Sequence, residues 1–255
     1  MRIFKNNKPL IGMVHLENLV NCENLVRAIE RAVQDAKALA DAGFDGALIE
    51  NYYDYPEAEF VQPEQTAAAA IISHEVRKAL PHFTLGVQLL LNDYKASFAI
   101  CKAINAEFSR LDVFVDDMTG KWGDIFPETE KIMAEKNRLC PNLLLLTDIQ
   151  VKHKVMLDPN KTLETSALQA IRAGSDGIIV TSEKTGEETP MGTIISAKSA
   201  VQDFPVIIGA GVQADNIQAQ LEIADGAIVG TALMTDGKVD FDKAKQLVEI
   251  RNSIF

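Results

Sequence analysis

Two stretches place acid–base residue types directly after apolar runs. In LLLLTDIQVKHK, Leu143 to Lys154, four leucines lead into Asp148, and Gln150, Lys152, His153 and Lys154 follow. In GALIENYYD, Gly46 to Asp54, Leu48 and Ile49 lead into Glu50 and Asn51. A carboxylate beside buried apolar residues is costly without a partner. A lysine among carboxylates is either held charged by them or pushed toward neutrality by burial. Carboxylate, imidazole and ammonium together can remove a proton, return it and polarise a carbonyl. If the strand stays extended, alternation aims Asp148, Gln150 and Lys152 to one side.

Other apolar runs also end in polar groups: His15 after LIGMV, Asn92 after LGVQLLL, Asp116 and Asp117 after DVFV, and Thr181 after GIIV. Each has a plain structural alternative. Asp54 and Asp93 suit helix N-caps, His15 suits a satisfied core histidine, and Lys152 suits a solvated loop. The set carries the inference: five successive runs end in ionisable residues while the run interiors read as apolar.

Those residues need elements to hold them. Eight short runs rich in Val, Ile and Leu recur, at 10–15, 46–51, 85–92, 108–115, 142–149, 177–181, 206–209 and 226–230. Each suits a strand buried on both faces. Between them the spacing predicts helices over 24–42, 63–79, 94–105, 127–138, 162–173, 190–202, 214–222 and 240–251. Gly43 supplies a stop for the first, and Pro63 a start for the second. The phrases AGFDGALIE, AGSDGIIVT and IADGAIVG repeat one design, a helix end, a tight turn and a buried strand. Eight such units in 255 residues predict an α/β fold, a single (β/α)8 TIM barrel spanning 1–255. No linker or charge block divides the chain, and no switch point of a doubly wound sheet is visible.

The last two runs end in small residues: Gly209, Ala210 and Gly211, then Gly230, Thr231 and Ala232. Such loops let backbone N–H groups approach a ligand, and in this fold the loops after the seventh and eighth strands commonly bind phosphate. TSEKTG, 181–186, adds Thr185 and Gly186 to that rim. The segment 115–128, with the lone Trp122, is long for its place and suggests a lid over the mouth, the alternative being a packed surface loop.

A net charge of −11 argues against a nucleic-acid backbone or anionic lipid as partner. Cys22, Cys101 and Cys140 form no CxxC pair and read as reduced thiols. No signal peptide or transmembrane run is visible, so a cytoplasmic homo-oligomer is expected. No cofactor is expected. A divalent ion on Glu50, Asp148, His153 and the Asp116–Asp117 pair is the alternative, although their spacing matches no ligand motif.

KPLIGMVHL (8–16), DGALIENYYD (45–54), LLLND (89–93), TDIQVKHK (147–154), PVIIGAGVQADN (205–216) and DGAIVGTAL (225–233) resemble, in order and spacing, the BtpA family. That family includes a cyanobacterial protein associated with photosystem I biogenesis and the bacterial SgcQ-type proteins. The resemblance implies a barrel and a cytoplasmic location, and no settled reaction. The chain departs from the family at RLDVFVDDMTG (110–120), where a phrase like RVNVHTG is usual, and at TSEKTG, where TGSGTG is usual.

The leading expectation is an enzyme on a small phosphorylated, sugar-like metabolite. Phosphate would sit on Gly209, Gly211, Gly230 and Thr231. Glu50 or Asp148 would act as base, and Lys152 or His153 would donate a proton or polarise a carbonyl, with His15 beside them. Asn51, Asn92, Asp116 and Thr181 would contact substrate. Aldol cleavage, isomerisation or a related proton transfer would follow. The other class is an assembly or regulatory factor that binds a ligand without turning it over.

Overall fold

The structure, a computed structural model, describes residues 4–151, 153–182 and 186–254. Within them each apolar run becomes a strand of one closed barrel. The strands are β1 (Leu10–His15), β2 (Gly46–Glu50), β3 (Thr84–Gln88) and β4 (Phe108–Leu111). They continue with β5 (Leu144–Asp148), β6 (Gly177–Val180), β7 (Val206–Ile208) and β8 (Gly226–Val229). Each pairs in parallel with its successor, and β8 closes onto β1. The intervening helices are α1 (Leu25–Ala42), α2 (Pro63–Ala79), α3 (Tyr94–Ile104) and α4 (Thr129–Leu139). After them come α5 (Leu163–Ala173), α6 (Met191–Val201), α7 (Ile217–Ile223) and α8 (Phe241–Ile254). No described helix is long and apolar enough to cross a membrane.

The recurring acid before a strand has a physical reason at the bottom of the barrel. Asp45, Glu107, Asp176 and Asp225 stand just before the even-numbered strands. Each donates its backbone N–H to a carbonyl at the start of the preceding strand, of Leu10, Leu85, Leu145 and Val206 respectively. Each side chain accepts the N–H of that same residue at 2.8–2.9 Å. The pairs of strands are thus clamped at their N-terminal ends, where ladder partners run out. Arg251, Arg77 and Lys198 close three of the clamps by donating to Asp45, Glu107 and Asp225.

Packing divides at the barrel wall. One apolar shell lies between strands and helices. A smaller cluster fills the bore: Phe4, Ile11, Met13, Leu48, Phe108, Leu146, Ile179, Ile207 and Ile228. Gly86 leaves space for Phe108, whose ring would collide with any Cβ there. Because side chains alternate along a strand, the next inward position lies two residues on. Those positions are His15, Glu50, Gln88, Arg110, Asp148, Thr181, Gly209 and Gly230. The bore is therefore apolar below and capped by a layer that is ionisable or amide-bearing on β1–β5 and small on β6–β8.

Several expectations are corrected. The third and fourth strands are shorter than their apolar runs, ending at Gln88 and Leu111. The fourth run is not clean, because Arg110 lies inside it. The fifth strand ends at Asp148, and Gln150 has a positive φ of 47° that breaks the alternation. The Gln150 amide turns toward α5 and donates to the Lys161 carbonyl. Asp93 does cap α3, accepting from the Ala96 N–H. Asp54 caps no helix: it accepts from the Leu19 N–H and from Asn51 and Gln65. The 115–128 segment is built rather than loose. Met118–Gly120 and Gly123–Ile125 form a hairpin, joined by Val155–Met156 in a small antiparallel sheet.

Candidate active site

A cavity of about 910 Å3 opens at the C-terminal end of the strands. Its size is in the range of small-molecule sites. One wall carries His15, Glu50, Arg110, Asp112, His153 and Lys154. The loops after β7 and β8 supply a second, Gly209 to Gln213 with Gly230, Thr231 and Ala232, which adjoins the first where Gly230 lies beside His15.

On the charged wall, His15 and Glu50 face one another across the β1–β2 register, with Nε2 3.8 Å from Oε1. The His15 ring stacks on Tyr52, centroids 4.3 Å apart at 19°. Burial first, and then the Glu50 carboxylate, push the Tyr52 phenol above its ordinary range, so it remains a donor. Deeper in, the Arg110 Nε and Nη2 donate to the two oxygens of Asp148 at 2.7 and 2.8 Å. Arg110 is 5% exposed and Asp148 1%. Burial opposes the guanidinium charge, yet Asp148, Asp112 and Glu50 outweigh it and hold Arg110 charged beyond its ordinary range. Asp112 accepts from Gln88 Nε2 at 2.6 Å and from Lys154 Nζ at 3.1 Å. Burial works against its charge too, but Lys154 and Arg110 prevail and lower its pKa.

The hairpin tip reaches the mouth. Trp122 lines the cavity and donates its Nε1–H to Glu57 at 2.8 Å. Lys121 Nζ lies 2.5 Å from the same carboxylate and 4.7 Å from the Trp122 ring centroid, while Lys154 Nζ lies 5.6 Å from that ring. Ammonium groups against an indole face attract it electrostatically. The glycine wall is held from behind: Thr189 Oγ1 donates to the Ala210 carbonyl at 3.0 Å, and Asn216 Nδ2 to that of Gly211 at 2.8 Å. Gly211 has φ +65°, and a Cβ there would strike the Glu187 backbone.

The structure brings His15, Glu50, His153, Gly209, Gly211, Gly230 and Thr231 to one cavity. The other expected residues among those described lie outside that lining. Asp148 lies beneath the cavity, bound to Arg110. Asn51 accepts from the Leu90 N–H, and Asn92 exchanges hydrogen bonds with the backbone of Val113. Asp116 points toward α5, accepting from Ser166 and the Gln150 N–H and pairing with Lys161. Thr181 is buried just past β6. Lys152 and Thr185 lie outside the described residues. Among the described residues no group of three His, Cys, Asp or Glu side chains is placed to hold a metal ion.

Arg110 and Asp112 were not anticipated. The signal was present, since an arginine inside the apolar run FSRLDVFV needs a buried acid. Parity with Phe108, two residues earlier, marks it as inward-facing. Tyr52, Glu57 and Trp122 arrive from loops, and no strand pattern reports them.

A model of the BtpA family matches residues 6–253. The chain belongs to the BtpA family. Among its relatives, an uncharacterized protein of Pyrococcus horikoshii is 34% identical, covering 98% of each chain. The Photosystem I biogenesis protein BtpA of Synechocystis is 32% identical over 93% of this chain and 84% of that one. Among solved structures, thiamine phosphate pyrophosphorylase from Pyrococcus furiosus superposes with a TM-score of 0.62 at 16% identity, covering 98% of this chain and 97% of that one. For 3-hexulose-6-phosphate synthase from Salmonella typhimurium the TM-score is 0.65 at 12% identity, covering 97% and 100%. At these identities the BtpA-family chain shares the fold of those enzymes, and fold alone does not carry a reaction.

Proposed function

We propose that this BtpA-family protein is an enzyme acting on a small phosphorylated, sugar-like metabolite by proton transfer next to a carbonyl. One observation carries the reading: acid–base side chains and the glycine-rich loops after β7 and β8 line one cavity. The phosphate is assigned to the glycine wall, where Gly211 and Gly230 allow close approach of backbone donors. The reacting end is assigned to the charged wall. Glu50 is the proton acceptor there, with His15 and His153 as proton carriers. Asp148 positions Arg110 and is not the base. The names of the solved structural neighbours, which include phosphorylated compounds, support the phosphate assignment.

Thermal denaturation of the full chain with pentose and hexose phosphates, beside the same sugars without phosphate, tests this. Stabilisation by phosphorylated sugars alone is expected, and its absence across the series overturns the reading. Glu50→Gln should then bind the same ligand without turning it over.

The name of the Synechocystis relative favours a second reading, a ligand-binding assembly or regulatory factor. Under that reading a biological effect would survive Glu50→Gln, whereas the enzyme reading requires its loss.

A further inference from the structure

Arg110 carries five N–H hydrogens, and Asp148 engages only Nε and Nη2. The two parallel contacts to Asp148 fix the plane and direction of the guanidinium. Arg110 nevertheless lines the cavity, on the same wall as Glu50. An arginine locked from behind and open in front is a preorganised donor, which does not have to reorient when charge develops before it.

The surroundings of the guanidinium select what it meets. Asp148, Asp112 and Glu50 all act on it electrostatically. Asp112 is shared with Lys154, and a ligand carboxylate would still add a fourth negative group beside the guanidinium. A neutral carbonyl oxygen meets no such repulsion and still accepts the N–H groups. Building on the enzyme reading above, we propose that Arg110 holds a neutral carbonyl oxygen of the substrate, which is therefore a phosphorylated aldose or ketose and not a phosphorylated carboxylic acid.

The step balances as follows. Glu50 takes the proton from the carbon beside the carbonyl and becomes neutral. The C–H electron pair forms a carbon–carbon double bond, and the carbonyl π pair moves to oxygen. That oxygen gains the negative charge Glu50 lost, directly in front of Arg110. The hydroxyl on the deprotonated carbon gives up its proton, and the former carbonyl oxygen gains one, through His15 or His153. Return of the carbon-bound proton to the former carbonyl carbon then completes an isomerisation, with the new carbonyl on the adjacent carbon, and restores the Glu50 carboxylate.

Calorimetric titration with ribulose 5-phosphate, 5-phosphoribonate and inorganic phosphate tests the selectivity, and proton NMR in D2O follows exchange of the C–H beside the ketone. The ketone ligand is expected to bind roughly tenfold or more tighter than the carboxylate, as befits one hydrogen bond to a charged group. Equal or tighter binding of the carboxylate overturns this inference and leaves the phosphate reading standing. Failure of all three ligands to bind overturns the phosphate reading itself. The wild type should exchange the C–H, and a bound ketone that does not exchange counts against the role of Arg110. Because Arg110→Met alone leaves Asp148 buried without its partner, the double variant Arg110→Met with Asp148→Leu is the second probe. It should fold, bind inorganic phosphate as the wild type does and lose exchange. Retained exchange in that variant would overturn the proposal.

Discussion

Arg110 on β4 and Asp148 on β5 meet through two parallel N–H···O contacts of 2.7 and 2.8 Å beneath the barrel mouth. Both side chains are almost wholly buried, and Arg110 alone of the two reaches the cavity lining. The pair is the floor on which the charged wall of the cavity stands.

Removing one partner should cost more than removing both. Asp148→Ala is expected to destabilise by about 3–5 kcal/mol, because it leaves a buried guanidinium uncompensated. Arg110→Met with Asp148→Leu should come close to wild-type stability. Urea unfolding of the single and double variants checks the difference. A single variant within error of the wild type would show that the pair is solvated.

Asp112 ties stability to acid. Its folded pKa is depressed, so the stabilisation it brings is complete above the ordinary carboxylate range and is lost as pH falls through the lowered value. The unfolding midpoint of the wild type should therefore drop in acid, and that of Asp112→Asn should drop less. The two profiles, measured side by side from neutral pH downward, decide it. Parallel curves would remove Asp112 from the account.

Gly211 is the residue of the glycine wall with least freedom to change. Gly211→Ala is expected to cost about 1–3 kcal/mol from its positive φ. The same variant should lose phosphate-dependent stabilisation, because the new methyl group displaces the Glu187 backbone. If the variant binds sugar phosphates as the wild type does, the phosphate lies elsewhere.

Trp122 is the only tryptophan, so its fluorescence reports on the mouth alone. A sugar phosphate entering the cavity should change its emission. Glu57→Ala removes the acceptor of the indole N–H and should shift emission to longer wavelength. An unchanged spectrum in that variant would mean that the hairpin tip does not depend on Glu57.

The bottom clamps should matter for folding and not for the ligand. Asp45→Ala breaks a buried pair with Arg251 and is expected to cost about 3–5 kcal/mol. Ligand affinity of the folded fraction should stay at the wild-type value. A loss of affinity alongside stability would connect the two ends of the barrel.

Much of this was readable along the chain. Apolar runs of strand length, helical spacing between them and the turn chemistry at Gly43 and Pro63 are local properties, and the barrel follows from their count and order. The acids that seem decorative in AGFDG and AGSDG serve the strand starts, which explains their recurrence. Glu50, His15, Gly211 and Gly230 could be picked out because each ends a run at the reactive face of the fold.

The rest depends on distances across the barrel, which no local pattern contains. The sequence reads Asp148 as a base, and only the fold brings Arg110, 38 positions earlier, onto both of its oxygens. Asp116 ends an apolar run as Glu50 does, but the Ser166 hydroxyl, the Gln150 N–H and Lys161 engage it on the side of α5. Local preference decides whether a residue stands on a strand, at its end or in a turn. Whether a charge then faces a ligand or a partner depends on which other charges the closed barrel brings within hydrogen-bonding distance.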